Sequence, residues 1–581
     1  MAASNSPAEQ LITENIDIWT SAIKKRGSQG RGSSKKIELY GIKKLRELIL
    51  ELAVRGLLVP QDPNDEPASV LLEKIAAEKE QLIKDGKIKK QKALPEISED
   101  EKPFELPKGW AWARLGTLFN SIMSGGTPSK RESSYWGGQI PWASVKDLGS
   151  SRYISNTQDY ITEEGLLAGS KLSDAGDILI CTRMGLGKIA ITTAPIAINQ
   201  DLKAVKLSNK VSVEYFLNTY STLKIKGTGT TVAGIKQEEL LNYVIGLPSE
   251  LEQPRIVAKV DELMALCDQL EQQTETSLLA HQTLVETLLN TLLNADQNSF
   301  DPAWERIAQH FDILFTTEHS IDQLKQTILQ LAVMGKLVPQ DPNDEPASVL
   351  LEKIATEKEQ LIKDKVIKKQ KPLPPISEDE KPFGLPKGWE WSRLSDVLDV
   401  RDGTHDSPKD ASGGNTYPLV TSKNFCNGEI NFSEARQISE KDHLEISKRS
   451  LVEVGDILFS MIGGNLGNQV IVKDPRAFSI KNVALLKYYL KSATQPEYIK
   501  VFTEELAIEL QNKASGGAQP FVSLGALRKL VFALPPFDEQ HRIVAKVDGL
   551  MSLCDNLKLK ISESQTTQLH LADAMAEQAL N

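Results

Sequence analysis

The chain of 581 residues is long enough for several domains, each with its own hydrophobic core. Its apolar content of 40% and charged content of 25% are typical of a globular protein, and no apolar run of about 18 residues predicts a membrane span. The net charge of −10 excludes a uniformly basic protein.

The first part of the chain predicts helices followed by a linker. We expect helices near residues 11–25, 42–57 and 66–85, the last beginning close to Pro67. The start of the chain lacks the basic residues and apolar stretch of a secretory signal, so we expect a cytoplasmic protein. A proline-rich, acidic stretch at 94–109 predicts the linker.

An internal repeat dominates the sequence. The segments Leu58–Asp85 and Leu337–Asp364 are identical except that Ala77 becomes Thr356. The match continues through ISEDEKPF and LPKGWxW, always 279 residues apart. A second block, RIVAKVD at 255–261, recurs at 542–548 with an offset of 287 residues. We call these repeated segments the frame.

The two stretches inside the frame do not resemble each other. Insert 1 (residues 113–246) and insert 2 (392–533) share almost no alignable sequence, and insert 2 is eight residues longer. Two different inserts in one repeated frame indicate that the chain binds two different ligands, each through an insert held in an equivalent position. DILICTR (177–183) and DILFSMI (456–462) predict buried strands between glycine-rich turns, so both inserts are expected to be α+β.

A long helix is predicted after each insert. Apolar residues with alternating spacings of four and three form a seam typical of coiled coils. We therefore expect the two helices to pair as an antiparallel coiled coil, giving the repeat a pseudo-two-fold arrangement. The seam residues are Ile256, Val260, Leu263, Cys267 and Leu270, then Ile543, Val547, Leu550, Cys554 and Leu557, with Leu284 and Leu288 continuing the register in the first helix and Ile561, Leu571 and Met575 in the second.

The organisation that follows is α+β overall, with six segments. They are a helical region with linker (1–108), a variable domain (109–247), a long helix (248–294), a central helical region with linker (295–387), a second variable domain (388–534) and a second long helix (535–581).

Catalytic motifs are absent from the sequence. Leu534-Pro-Pro-Phe537 has leucine where an adenine methyltransferase needs a polar residue. Gly185-Leu-Gly-Lys188 has Thr182 where a phosphate-binding loop needs glycine, and Ile189 where it needs serine or threonine. The four cysteines form no CxxC pair, so we expect reduced thiols and no metal site. The sequence therefore predicts a protein that is not an enzyme.

Taken in order, several motifs resemble the specificity subunits of type I restriction–modification systems. GGTPSK…YWGGQIPW (125–142), INQ (198–200) and PSELEQPRIVAKVDEL (248–263) resemble the first target recognition domain of that family and its exit helix. DGTHDSP (402–408), TSKN (421–424) and PPFDEQHRIVAKVDGL (535–550) resemble the second. The long regions 1–108 and 295–387 are similar to the subgroup with extended N-terminal and central parts.

The resemblance implies a division of labour with other subunits. Each recognition domain would bind one half-site of a bipartite, asymmetric target in double-stranded DNA, and the paired helices would set the spacing. Two adenine-N6 methyltransferase subunits, using S-adenosylmethionine, would bind the frame. Translocase and nuclease subunits, using ATP and Mg²⁺, would join them. No cofactor and no membrane contact would belong to this chain itself.

Contact with DNA requires polar and basic side chains on loops. Residues 109–247 carry 14 basic and 11 acidic residues, and 388–534 carry 17 and 18, so both are less acidic than the rest. Arginine and lysine suit guanine, whereas asparagine and glutamine suit adenine. The candidates are Lys130, Arg131, Lys146, Arg183, Lys188 and Lys226, then Arg401, His405, Lys423, Asn424, Lys481, Asn482 and Lys513.

An alternative remains open at the level of sequence. A coiled-coil scaffold that presents two variable protein-binding domains would show the same frame and the same divergent inserts. The variable loops do not distinguish a DNA ligand from a protein ligand.

Overall fold

The computed structural model describes residues 7–25, 37–149, 151–228, 233–513 and 521–580. Contacts divide the chain into two units. Unit 1 contains the described residues up to Leu278 and those from Ser564 onward, and unit 2 contains Leu279–Glu563. Within these described ranges, no helix is both long enough and apolar enough to cross a membrane.

Helices build the frame of unit 1. The helix predicted over 11–25 is instead two short helices, because the chain leaves helical geometry at Asn15 (φ −124°, ψ 33°). The other two predicted helices are present, and the second begins directly after Pro67. The helices are α1 Pro7–Glu14, α2 Ile16–Ser21, α3 Tyr40–Val54, α4 Ala68–Lys84, α5 Leu115–Leu118, α6 Glu163–Gly169, α7 Val213–Thr222, α8 Gln237–Leu241 and α9 Glu252–Asn294, of which α5 to α8 belong to insert 1.

Insert 1 forms two sheets. The strands of the unit are β1 Lys24–Lys25, β2 Ile37–Glu38, β3 Ala111–Arg114, β4 Phe119–Ser124, β5 Trp136–Ala143, β6 Tyr153–Ile154, β7 Asp159–Ile161, β8 Lys171–Ser173, β9 Ile178–Cys181, β10 Ile189–Thr192, β11 Ile196–Ile198, β12 Leu202–Leu207 and β13 Val244–Leu247. One sheet has the order β4-β12-β9-β10-β6 and the other β7-β5-β11-β8. The predicted buried strand is β9, whose four residues are all buried.

Unit 2 contains the second copy of the same helical frame. A helix that begins directly after Pro346 repeats the one that begins after Pro67. The helices are α10 Gln297–Gln309, α11 Phe311–Leu314, α12 Glu318–Val333, α13 Ala347–Lys363, α14 Leu394–Val397, α15 Glu440–Ser450, α16 Pro496–Lys513, α17 Leu524–Lys529 and α18 Phe537–Leu580.

Insert 2 shares the central strand order of both sheets with insert 1 despite its different sequence, but it lacks counterparts of β6 and β8 among the described strands. Its strands are β14 Glu390–Arg393, β15 Leu398–Asp402, β16 Thr416–Val420, β17 Phe425–Cys426, β18 Glu429–Ile430, β19 Arg436–Ser439, β20 Ile457–Ser460, β21 Gln469–Ile471, β22 Ser479–Ile480, β23 Val483–Tyr488 and β24 Val531–Leu534. The orders β15-β23-β20-β21 and β19-β16-β22 correspond to β4-β12-β9-β10 and β7-β5-β11.

The first and last strands of each insert are paired with each other. In unit 1, β3 and β13 form an antiparallel two-stranded sheet, with Ala111 opposite Leu247. In unit 2, β14 and β24 do the same, with Glu390 opposite Leu534. The two ends of each insert therefore lie side by side where the insert joins the frame.

A buried carboxylate closes the frame of unit 1. The indole N–H of Trp110 donates to Glu252 at 3.0 Å, and the Gln61 amide donates to the same carboxylate at 3.4 Å. Burial raises the pKa of Glu252, while these two donors oppose the shift. Nearby, Arg255 pairs with Asp65, and this hydrogen bond lowers the pKa of Asp65. The contacts join the two repeated blocks of the frame.

Unit 2 repeats these contacts 279 or 287 residues later. The Gln340 amide donates to Glu539 at 3.2 Å, and Arg542 pairs with Asp344 at 2.5 Å. Burial also raises the pKa of Glu539. The conserved spacing of the repeat thus corresponds to a repeated set of polar contacts in each unit.

Each long helix contributes residues to both units. In unit 1, the first part of α9 and the last part of α18 share a core with α3. Arg46 of α3 bonds Asp268 at 2.7 Å, and Tyr40 bonds Asp573 at 2.7 Å. In unit 2, α18 is tied to α12 by the 2.7 Å bond between Lys325 and Asp555.

The seam residues lie in these cores. The first five, from Ile256 to Leu270, are all buried in unit 1. Burial raises the pKa of the Cys267 thiol to about 11. In unit 2, Ile543, Val547 and Cys554 are buried, and Leu550 and Leu557 are half-buried.

The predicted register holds only in part at the far end of each helix, where Leu288 and Met575 pack against a core but two other predicted positions do not. Leu284 and Leu571 are 49% and 45% exposed, while the next residues, Val285 and Ala572, are buried. The reason is that the last part of each helix belongs to the other unit and packs into that unit's core. The core residues of that other unit therefore determine which face of the helix end is buried, and the apolar seam at the start of the helix does not.

Replacing Trp110 with phenylalanine tests the closure of the frame. W110F removes a donor from the buried carboxylate of Glu252, and we expect a loss of about 1–3 kcal/mol in the free energy of unfolding near pH 8. Because the folded-state pKa of Glu252 is raised, the loss should shrink towards pH 4, where the carboxyl is protonated in both states. Denaturant unfolding at the two pH values measures it.

The control is Trp112→Phe in β3, two residues further on, where the indole is half-buried and packs on Phe104 with ring centroids 5.0 Å apart. W112F should change stability less and without pH dependence. Equal losses for the two variants at both pH values would contradict the role of the Trp110 donor.

Candidate nucleic-acid interface

Two parallel strands define one edge of insert 1. β5 and β11 are parallel neighbours, with Ala143 opposite Ile198, so the loops that follow them lie at the same edge. After β5, residues 145–147 form a 3₁₀ turn, fixed because the Ser144 N–H donates to Asp147 at 2.8 Å. The turn holds Lys146 exposed to solvent.

The loop after β11 meets the glycine-rich loop after β4. The Gly126 N–H donates to the Ile198 carbonyl at 2.9 Å. The Thr127 hydroxyl donates to the Gln200 side-chain oxygen. Lys130 and Arg131 follow on the same loop and are exposed.

The turn between β9 and β10 completes this edge. Arg183 lies 3.6 Å from Asp201 and is 53% exposed, and the Lys188 ammonium donates to the Val145 carbonyl at 3.1 Å. Lys226 is exposed two residues before Thr228, which pairs with Gly234 beside Arg183. We call the loops 125–131, 144–148, 182–188 and 199–201 edge 1. Among described residues, all six candidates of insert 1 lie on or beside it.

The same edge exists in insert 2. β16 and β22 are parallel neighbours, with Val420 opposite Ile480. After β16, residues 422–424 form a 3₁₀ turn that holds Lys423 exposed, the counterpart of Lys146. Asn424 is buried, and its side-chain oxygen accepts the Thr421 N–H at 2.9 Å. Asn424 therefore fixes the turn, as Asp147 does in insert 1.

A hydrogen-bonded chain of side chains lies beside this turn. His405 places Nε2 3.0 Å from Asp402 and Nδ1 3.3 Å from the Asn482 side-chain oxygen. Arg449 pairs with the other oxygen of Asp402. Asn482 is exposed and adopts a positive φ of 57°. Lys481 donates to the Ser407 hydroxyl. We call the loops 403–408, 421–424, 461–468 and 480–482 edge 2.

Not every candidate lies on an edge. Arg401 is part of β15, where it pairs at 2.7 Å with Asp399 of the same strand and is 22% exposed. The side chain of Lys513 lies outside the described residues.

Sequence reasoning missed several edge residues. Ile462 and Phe521 are 45% and 59% exposed and pair as an isolated bridge, at the position that Arg183 and Gly234 occupy in insert 1. Gln200 and Thr127 were also missed as individual side chains, although their motifs were noted. Only the sheet order, which shows which loops meet, identifies these positions.

The two edges differ in charge. Edge 1 carries Lys130, Arg131, Lys146, Arg183 and Lys188. Edge 2 has fewer cations, and Asp402 is engaged by Arg449 and His405. Within the described part of the chain, no group of histidine, cysteine and carboxylate side chains could hold a metal ion. What the edges offer chemically is hydrogen bonding, apolar contact and positive charge.

The comparisons with known proteins point in one direction. The family model described as the type I restriction modification DNA specificity domain matches residues 107–280 and 386–564. The specificity subunit of the type I restriction enzyme EcoAI from Escherichia coli is 43% identical over 99% of this chain and all of its own length. That of EcoEI, also from Escherichia coli, is 42% identical over the same shares.

A solved structure is also similar. The HsdS subunit from Thermoanaerobacter tengcongensis is 19% identical, covering 82% of this chain and 98% of its own, with a TM-score of 0.41. The family model and the full-length relatives decide the assignment. The chain belongs to the family of specificity subunits of type I restriction–modification systems, in which two recognition domains determine the DNA target.

Proposed function

We propose that this chain recognises a bipartite, asymmetric DNA target, with residues 109–247 contacting one half-site and 388–534 the other. The observation that carries the proposal is the pair of matching edges. Lys146 and Lys423 occupy equivalent turns after parallel strands, whereas Arg183 is matched by Ile462. The same fold thus presents different chemistry. An arginine suits guanine and an apolar side chain suits the methyl group of thymine, so the two half-sites should differ.

Partner subunits would supply the chemistry. We assign no catalytic step to this chain. Its two frame copies repeat the same polar contacts in each unit, and two like surfaces suit two copies of one partner. Two adenine-N6 methyltransferase subunits with S-adenosylmethionine would bind there, and translocase and nuclease subunits with ATP and Mg²⁺ would join them. Because the substrate is cellular DNA, we place the assembly in the cytoplasm.

The long helices would fix the distance between the half-sites. α9 and α18 have 43 and 44 residues, about 65 Å each at 1.5 Å per residue. Each contributes to both units. We infer that the two helices run antiparallel and pair along their length, with apolar seams at the ends and polar residues in the middle. A rigid pair of this kind would permit one spacer length in the DNA.

Genome-wide mapping of N6-methyladenine tests the proposed function directly. A host expressing this chain with its methyltransferase should carry one bipartite methylated motif that is absent without the chain. Replacing residues 113–246 by the corresponding insert of a relative should change one half of the motif. Replacing 392–533 is the matched experiment and should change the other half. Loss of both halves after a single replacement would exclude two independent recognition domains.

Lysine substitutions test the contact with the DNA backbone. K146A and K423A should each weaken binding to every duplex, and each should reduce the slope of log K against log salt by about 0.9 for one lost phosphate contact. Fluorescence anisotropy of the assembled methyltransferase over a range of salt concentrations measures both.

Lys206→Ala is the control for K146A. Lys206 lies four residues along β12 from its edge-1 end, roughly 13 Å away at about 3.3 Å per residue. If K206A changed the salt dependence of binding as much as K146A does, edge 1 would not be the surface that contacts the DNA backbone.

A heptad insertion tests the spacing role of the helices. Seven residues inserted beside Ser277 in α9 and beside Ser564 in α18 add about 10 Å. The spacer in the methylated motif should lengthen by about three base pairs, or methylation should be lost. An unchanged spacer with full methylation would contradict the role. An insertion in one helix alone, which breaks the matching lengths, should abolish methylation.

A further inference from the structure

Each of the two edges carries one exposed side-chain amide, and the residues around these two amides occupy equivalent positions. The Gly126 N–H donates to Ile198 O, and the Thr404 N–H donates to Ile480 O, both at 2.9 Å. Because these bonds are equivalent, the two loops can be compared position by position. The residue after the donor is then Thr127 in insert 1 and His405 in insert 2. Two positions beyond the isoleucines stand Gln200 in edge 1 and Asn482 in edge 2.

The second bond in each loop supports this alignment. The Asn199 N–H donates to Ala143 O at 3.0 Å, and the Lys481 N–H donates to Val420 O at 2.9 Å. The correspondence therefore rests on backbone geometry in both units, and it holds although the inserts share almost no sequence.

A glycine permits the close approach in both loops. A Cβ atom on Gly125 would lie 2.2 Å from Asn199 O, and one on Gly403 would lie 2.4 Å from Ile480 O. Only glycine fits such contacts with backbone atoms. Both loops are thus held against the segment that carries the amide.

Each amide is held by the residue on the neighbouring loop. The Thr127 hydroxyl donates to Gln200 Oε1. His405 faces Asn482 through Nδ1 and Asp402 through Nε2, and Arg449 holds Asp402. Two different side chains therefore do the same task, which is to orient an exposed amide at the edge.

The free atoms of an amide held in this way match one base. A side-chain amide has two lone pairs and two N–H groups. One contact leaves the amide at least one lone pair on its oxygen and one N–H on its nitrogen. This holds whether His405 donates to the amide oxygen or accepts from the amide nitrogen. Adenine presents a donor at N6 and an acceptor at N7 in the major groove, and a side-chain amide binds both.

We propose that Gln200 and Asn482 each recognise an adenine in the major groove, one in each half-site, and that Thr127 and His405 are their positioning residues. The inference rests on the proposed function and names the side chains that determine part of its specificity. Holding the amide before binding reduces the rotational freedom lost in the complex, which favours one base.

The test uses the assembled methyltransferase and a duplex carrying the methylated motif found by genome mapping. Each adenine of the motif is replaced in turn by guanine or by 7-deazaadenine, which lacks the N7 acceptor. For the wild type, we expect about a tenfold or greater loss of binding at one such adenine in each half-site. Q200A should bind the motif about tenfold more weakly and should lose discrimination at that adenine of one half-site only.

N482A is the mirror variant and should lose discrimination at the corresponding adenine of the other half-site. Both side chains are exposed, so the substitutions leave the cores intact. Asn209→Ala, an exposed amide beyond the far end of β12, is the control and should bind every duplex like the wild type.

The positioning residues have their own readout. T127V keeps the shape of threonine without the hydroxyl and should reduce discrimination at the adenine assigned to Gln200, whereas T127S should restore it. H405A should do the same at the adenine assigned to Asn482. A merely structural role would weaken binding to all duplexes without changing discrimination at one base.

Three results would overturn the inference. They are unchanged discrimination in Q200A and N482A, a uniform loss of affinity with discrimination intact, and a loss of discrimination in both half-sites from one substitution. The second would mean that the amides contact phosphates. A wild-type assembly without any sequence preference would instead overturn the proposed function itself.

Discussion

The pairing of the first and last strands of each insert is the constraint on which the architecture depends. β3 binds β13 and β14 binds β24 through backbone hydrogen bonds. Because these bonds need no particular side chains, the frame receives the same two strands whatever lies between them. The buried Glu252 and Glu539 then hold the start of each long helix against the frame. Position and orientation are fixed by the frame, and the insert is left to vary.

The variation is nonetheless confined. Both inserts share the central strand order of their two sheets, a parallel strand pair and the loops at its carboxyl end. What differs is side-chain chemistry at matched positions, such as Thr127 against His405. Even the turn residues Asp147 and Asn424, which differ in charge, make the same backbone contact. The fold preserves geometry, and the loop side chains change the chemistry that is presented.

Much of this was predictable from sequence, for physical reasons. The repeat exposed the frame, and the apolar pattern of DILICTR identified the buried strand β9. The exposed Leu284 was not predicted, because local pattern does not show which unit a segment packs against. The break at Asn15 was not predicted either. Edge residues were the hardest. Arg401 and Asn424 have suitable chemistry but are occupied in a strand and a turn, and Gln200 becomes visible only when the sheet order brings its loop to Thr127.

The strand pair at the base of each insert also bears on how such a chain can change over generations. Because the paired strands bond through backbone atoms, this contact imposes little selection on the side chains of the strands themselves. A gene conversion that replaced one insert would have to preserve the two paired strands of four residues and the contacts with the frame, such as those of Arg114 with Glu101 and Asn120 with Glu78. The frame residues meet the opposite condition, since Glu252, Gln61 and Trp110 depend on one another and tolerate change only together. Slow drift in the frame and abrupt replacement of the inserts are therefore the two modes of evolution that this chain permits.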